Sequence, residues 1–318
     1  MRIFANPNYN FIKWRWHALI ISIVVIWAGV FNMYRRGGVP LGIDFSGGTA
    51  ILLRFEQATN EDVVRKALDP ISTEKVVQRS GDPSLHQIMV RMPMQSADAT
   101  LDEDKQKVEA TLRAANVGNF IVDKADLVGP VAGAELQRKG IWATIAALTG
   151  ILIYVMFRFR FTFAVGAIVA AFHDILITLV FLEWFHYELS LNVIAALLTI
   201  TGYSVNDTIV VFDRVRENQR LARREPLDQI VNKSVNQTLG RTIITSGCTL
   251  LAVVALFFFG GEVLKPFAFT MIVGVLTGTY STVFIAAAIA IILSRRVPPT
   301  QAAAVPRPTA SARTGKAS

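Results

Sequence analysis

One acidic residue inside an apolar segment constrains this chain more than any other feature. Six apolar stretches, at 17–34, 140–157, 161–182, 189–212, 241–259 and 266–293, are each long enough to cross a bilayer. The fourth contains Gly202-Tyr203-Ser204-Val205-Asn206-Asp207-Thr208. An ionisable group at the centre of such a helix costs roughly 2.5–3.5 kcal/mol on insertion scales, so it is kept where it has a use. Arg241 opens the next apolar segment and is the expected partner of Asp207. An ion or proton pathway is the first reading of that pair. In the other reading Arg241 snorkels to the interface and Asp207 only hydrogen-bonds a neighbouring helix.

Composition agrees with a polytopic α-helical membrane protein. The 318 residues are 52% hydrophobic, and the mean hydropathy is +0.42, too apolar for an ordinary soluble domain. The net charge of +8 is placed in loops rather than in any nucleic-acid-binding motif, so no nucleic-acid partner is expected. Cys248 is the only cysteine, which excludes an intrachain disulfide and reads as a small buried hydrophobe. The first span is preceded by Lys13-Trp14-Arg15-Trp16 and followed by no small-residue cleavage site, which predicts an uncleaved anchor rather than a signal peptide.

Residues 38–139 are polar and read as a separate α+β domain between the first two spans. Apolar alternation predicts strands at 50–55, 75–78, 87–91 and 119–128, with a turn at Gly81-Asp82-Pro83-Ser84. Helices are predicted at 60–68, capped by Thr59 or Asn60, and at 101–115, where Thr100 and Glu103 have capping-box spacing. The order βαββαβ is ferredoxin-like. A helix entering the second span is expected from about Gly133. Segment 213–240 is basic, and Pro226 at a first helical position predicts a short amphipathic helix with Leu227, Ile230, Val231 and Ser234 on one face. Ser234, on that loop, is expected to tolerate change. Residues 294–318 read as a disordered tail.

Lys and Arg assign the sides. The N-terminus, Arg158 and Arg160, the loop with Arg214, Arg216, Arg220, Arg223 and Arg224, and Arg295 and Arg296 fall on one side. Six spans with both termini in the cytoplasm and 38–139 outside satisfy this pattern, with Arg35 and Arg36 as outweighed exceptions.

His173 and Asp174 lie near the middle of the third span. Two readings stand: a proton relay, or a structural hydrogen bond that fixes packing. Adjacent residues diverge by about 100° on a helix, so at most one of them faces Asp207. Gly274 and Gly278 form a small-residue face for close packing, in this chain or against a partner. No phosphate-binding loop and no zinc-protease motif is present, so no nucleotide, metal or other cofactor is expected, and an enzyme reading is weak.

The motifs together resemble the SecF family of protein-export membrane subunits. Gly42-Ile43-Asp44-Phe45-Ser46-Gly47-Gly48-Thr49 is similar to the family's signature after the first span, and Val128-Gly129-Pro130 to the entry of the second. His173-Asp174 matches the third span. Gly202, Tyr203, Asn206, Asp207, Asp213, Arg214, Glu217 and Asn218 match the fourth, and Gln237-Thr238-Leu239-Gly240-Arg241 through Thr245 the fifth. Gly278-Thr279-Tyr280-Ser281-Thr282 matches the sixth, and Gly240 and Thr282 stand where Ser is usual. The resemblance implies an RND-type membrane half paired with SecD, association with the SecYEG translocon, and proton-motive-force-driven late translocation of preproteins on the periplasmic side. It implies that Asp207 and Arg241 serve proton conduction. Half of an RND exporter of small molecules or lipids is the alternative, and a sensor or assembly module that would not need Asp207 is a third.

Overall fold

The computed structural model describes residues 7–72, 75–80, 83–93, 100–159, 161–222 and 225–296. Gly81 and Asp82 of the expected turn, Arg160, Arg223, Arg224 and the tail beyond residue 296 lie outside these.

Helix α1 (Arg15–Arg36) is the first membrane-length segment. A four-residue helix α2 (Ile43–Ser46) leads into strand β1 (Gly48–Phe55). Then follow α3 (Glu61–Ala67), β2 (Val76–Ser80), β3 (Gln87–Met92), α4 (Leu101–Ala114) and β4 (Phe120–Val128). The sheet order is β2-β3-β1-β4 with every neighbour antiparallel, the ferredoxin-like arrangement. Alternation explains its core: Ile51, Leu53 and Phe55 point to one face, where Val64 and Leu68 from the α3 side and Val108 and Leu112 of α4 complete the packing. The Asn60 side chain caps α3, and Thr100 and Glu103 form the capping box of α4.

Five further membrane-length segments follow: α5 (Pro130–Arg158), α6 (Phe161–Trp184), α7 (Leu191–Leu221), α8 (Leu227–Phe259), and a last one built from α9 (Gly261–Ser281), a π turn (Thr282–Ala286) and α10 (Ala287–Arg296). The α6 and α9–α10 segments form the buried centre, while α1, α5 and α8 expose most of their surface. Three elements differ from expectation. Helix α5 begins at Pro130 rather than near Gly133, because proline fits the first helical position, where its missing N–H costs nothing. Pro226 precedes α8 as its N-cap instead of opening it. The expected short amphipathic helix is not separate: α8 runs unbroken through Arg241, since nothing between Leu227 and Gly240 breaks a helix and one glycine is tolerated. Residues 213–240 are therefore the extended ends of a helical hairpin, joined by Arg214 Nε to Gln237 Oε1 at 2.6 Å and Asn218 Nδ2 to Ser234 Oγ at 2.8 Å. Ser234 is fully buried there, so it is not a neutral position.

The glycine-rich segment after α1 joins the α+β domain to the membrane helices. The Gly42 N–H donates to the Leu189 carbonyl at 2.8 Å, and the Leu189 N–H to the Pro40 carbonyl at 2.8 Å. Asp44 Oδ2 accepts from the Leu191 N–H at 2.9 Å, serving the free N-terminus of α7. Arg91 of β3 pairs with Glu188 of the α6–α7 loop. Gly47 and Gly48 take φ of 70° and 122°, a region open to glycine. At Gly48 a Cβ would also run into the Met92 carbonyl of β3. Gly48→Ala should therefore destabilise by about 1–3 kcal/mol. Gly37→Ala, at positive φ but facing open space, should cost less, about 1 kcal/mol. Thermal unfolding of the two variants checks the order; equal midpoints would remove the joint's strain argument.

Candidate functional site

The polar residues of the spans converge on the buried centre. Asp174 is fully buried, and its Oδ2 accepts from Ser204 Oγ of α7 at 2.5 Å and from Ser281 Oγ of α9 at 2.7 Å. Its Oδ1 lies 3.0 Å from His173 Nδ1. On the other ring edge, His173 Nε2 meets Ser22 Oγ of α1 at 2.9 Å; Ser22 Oγ is 3.2 Å from the Tyr280 hydroxyl, which donates to the Ala18 carbonyl at 2.9 Å. One continuous hydrogen-bonded chain thus crosses four helices. It exists because α7 and α9 approach closely: a Cβ on Gly278 would stand 3.0 Å from that of Ser204. The Gly274 and Gly278 face is consumed inside this chain, against Ile200 and Ser204.

Asp207 lies one turn beyond Ser204 on α7. It is 8% exposed, and Oδ1 accepts from Thr242 Oγ1 of α8 at 2.7 Å. Its Oδ2 is buried and takes no hydrogen bond among the described residues. Thr208 Oγ1 and Thr282 Oγ1, 3.0 Å apart, adjoin it, with Thr282 opening the π turn that offsets the last segment. A carboxylate oxygen buried without a donor is costly, and such orphans concentrate where a group changes state.

The expected Asp207–Arg241 ion pair is not formed. Arg241 is exposed on the outer face of α8, while its neighbour Thr242 points at the carboxylate. The reason is helical: adjacent side chains diverge by about 100°, so one helix position cannot serve both faces. Thr245 and Cys248 share the Arg241 face, so Cys248 is exposed rather than buried. Gly202 and Asn206 lie on an exposed face of α7. Tyr203 donates to Ser246 Oγ at 3.2 Å. Asp213 takes both its oxygens to Arg158 Nη2, at 2.8 and 2.7 Å, and Arg214 pairs with Glu217 at 2.6 Å. Asn218 bonds Ser234, and Thr245 Oγ1 bonds the Arg241 carbonyl of its own helix. Gly129 caps α5 ahead of Pro130. The site thus gathers His173, Asp174 and Asp207 near one another on α6 and α7, and leaves Arg241 outside. Sequence reasoning gave no role to Ser22, and none to Thr242, Tyr280 and Ser281 beyond their places in the fifth- and sixth-span motifs. For Ser22 the only signal was a hydroxyl in an apolar span, which is common and mostly local back-bonding.

Fold and site define a multi-pass helical membrane protein with an ionisable, hydroxyl-lined core and a small α+β domain inserted after its first helix. Residues 107–296 match the family described as protein export membrane protein SecD/SecF, C-terminal, and residues 37–59 match the SecD/SecF GG motif. The chain is 40% identical to the protein translocase subunit SecF of Rhodothermus marinus, over 93% of this chain and 96% of that one. It is 43% identical to the SecF subunit of Calditerrivibrio nitroreducens, over 88% and 92%. Among solved structures it resembles SecDF, a translocon-associated membrane protein from a Thermus species, with a TM-score of 0.81 and 36% identity, over 92% of this chain and 39% of that longer one. The chain belongs to the SecF family of protein translocase subunits.

Proposed function

We propose that this chain works with SecD as the part of the bacterial export machinery that spends the proton-motive force on late preprotein translocation, at the SecYEG translocon, without enzymatic chemistry or a cofactor. The observation that carries the reading is Asp207: a buried carboxylate with one oxygen unpartnered, surrounded by hydroxyls from neighbouring helices. Such a group can take up and release a proton with little rearrangement, and one charge crossing the membrane is worth about 2.3 kcal/mol per 100 mV. His173 and Asp174 form a second polar centre joined to the same helix through Ser204.

SecD is the partner that the exposed faces suit. Gly202, Asn206, Arg241 and Thr245 are uncovered on adjoining helices at membrane depth. Arginine and asparagine facing lipid are expensive, so a second membrane half over them relieves the cost and brings Arg241 into a shared interface. Expressed without SecD, the chain should be unstable or aggregated; copurification of the two from co-expressing cells, and gradient-stimulated export into energised vesicles only when both are present, is the test. A monomeric, fully active chain alone would end this reading.

The orientation follows from charge. Arg158, Arg214, Arg216 and Arg220 cluster near the ends of α5 and α7, which we assign to the cytoplasm together with both termini. Arg36, on the opposite side, is held by Glu183 at 3.2 Å, and Glu183 itself is 1% exposed and bonded by Asn32. Its charge is locally offset and does not oppose the assignment. The outer domain at 38–139 then lies in the periplasm. Reporter fusions at residue 81 and after residue 296 should read opposite sides; one side for both would overturn the topology.

A further inference from the structure

A cavity of about 1380 Å³ lies away from the Asp207 site, between the N-terminal segment and the start of α8. That is above the roughly 300–1,000 Å³ typical of small-molecule sites. Its walls are fixed. The Tyr9 N–H donates to Asn236 Oδ1 at 2.9 Å, and the Tyr9 carbonyl accepts from both Asn236 Nδ2 at 2.8 Å and Asn232 Nδ2 at 3.0 Å. The N-terminal segment is thereby clamped along one face of α8.

Four cations line this space, Lys13, Arg15, Arg214 and Lys233, against two carboxylates, Glu225 and Asp228. Arg15 reaches Asp228 at 3.4 Å through Nη1, while its Nε is buried with no acceptor among the described residues. Neither lysine ammonium makes a hydrogen bond or ion pair among the described residues. The position matters as much as the charge. Lys13 and Arg15 stand at the entry of α1, and Trp14 and Trp16 are exposed beside them, which marks the level of the lipid headgroups. Arg214 follows directly on the apolar part of α7.

We infer that this cavity binds the phosphate-bearing headgroup of an anionic phospholipid. A phosphate oxygen meets Lys13 and Lys233 across the opening beside the Arg15 guanidinium, while Trp16 flanks the glycerol end. Lipid is favoured over a soluble phosphate because the site opens at the membrane boundary, where anionic headgroups are concentrated and basic side chains gain affinity from them. The inference is independent of the export reading, since it rests on other residues.

The test is lipid titration of the full chain copurified with SecD, read by native mass spectrometry, with phosphatidylglycerol against phosphatidylcholine. Wild type should retain phosphatidylglycerol preferentially. Lys13→Gln with Lys233→Gln should weaken that retention about 25-fold, at roughly fivefold per lysine near an anionic surface. Lys13→Arg with Lys233→Arg should keep it, which separates charge from folding. Equal retention of the two lipids, or an unchanged titration in the double glutamine variant, would overturn the site. Displacement of the lipid by millimolar glycerol phosphate would overturn the lipid assignment in favour of a soluble phosphate.

Discussion

Asp207→Asn should reduce export into energised vesicles to the level seen when the gradient is collapsed, while assembly with SecD remains intact. The substitution keeps size and keeps an oxygen to accept from Thr242 Oγ1, now at 2.7 Å from Oδ1. It removes only the capacity to bind and release a proton. The stability change should stay within about 1 kcal/mol, because hydrogen bonds in membrane interiors average near 0.6 kcal/mol and this one is retained. Arg241 acts differently, since it does not touch the carboxylate within this chain. Arg241→Lys, which keeps the charge, should impair export less than Arg241→Met. Lys139→Gln, on an exposed part of α5, serves as the control that Ser234 cannot be. Normal gradient-dependent export by Asp207→Asn would return Asp207 to a packing role.

Asp174→Ala should be the most destabilising single change in the membrane core, at about 3 kcal/mol. The carboxylate receives Ser204 and Ser281 and meets His173, so its removal takes three polar contacts from a fully buried position. Removing the shared acceptor, unlike keeping it, leaves buried donors short of a partner, at roughly 1 kcal/mol each. Asp174→Asn can still accept from both serines and should cost about 1 kcal/mol. Thermal unfolding in detergent measures the difference, and export by the folded Asn variant separates the two readings of the pair. Full gradient-dependent activity assigns His173 and Asp174 to packing; loss of activity with a retained melting point assigns them to proton movement. Equal melting points for the Ala variant and wild type would contradict the geometry described above.

Six membrane-length segments, the βαββαβ order and both helix caps of the outer domain were legible in the sequence, because each depends on local pattern. Apolar length fixes a span, period-two alternation fixes a strand face, and Asn60 or Thr100 with Glu103 caps a helix whatever lies around it. Asp207 was legible for the same reason: its cost in an apolar segment needs no knowledge of its neighbours. The break expected before Arg241 is absent because polarity alone does not end a helix. A polar half-helix stays helical when another helix end satisfies it, as Asn218, Arg214 and Gln237 do here.

Tertiary structure decided which residues meet. Rotation of α8 about its axis turned Thr242, rather than Arg241, toward Asp207, and no spacing in one strand of sequence reports the relative rotation of two helices. Ser22, 151 positions from His173, and Ser281, 107 from Asp174, became partners only when α1 and α9 packed on α6. Gly278 states in sequence that something can approach closely. That the neighbour is Ser204, and that the approach lets two serines share one carboxylate, follows from how the helices pack.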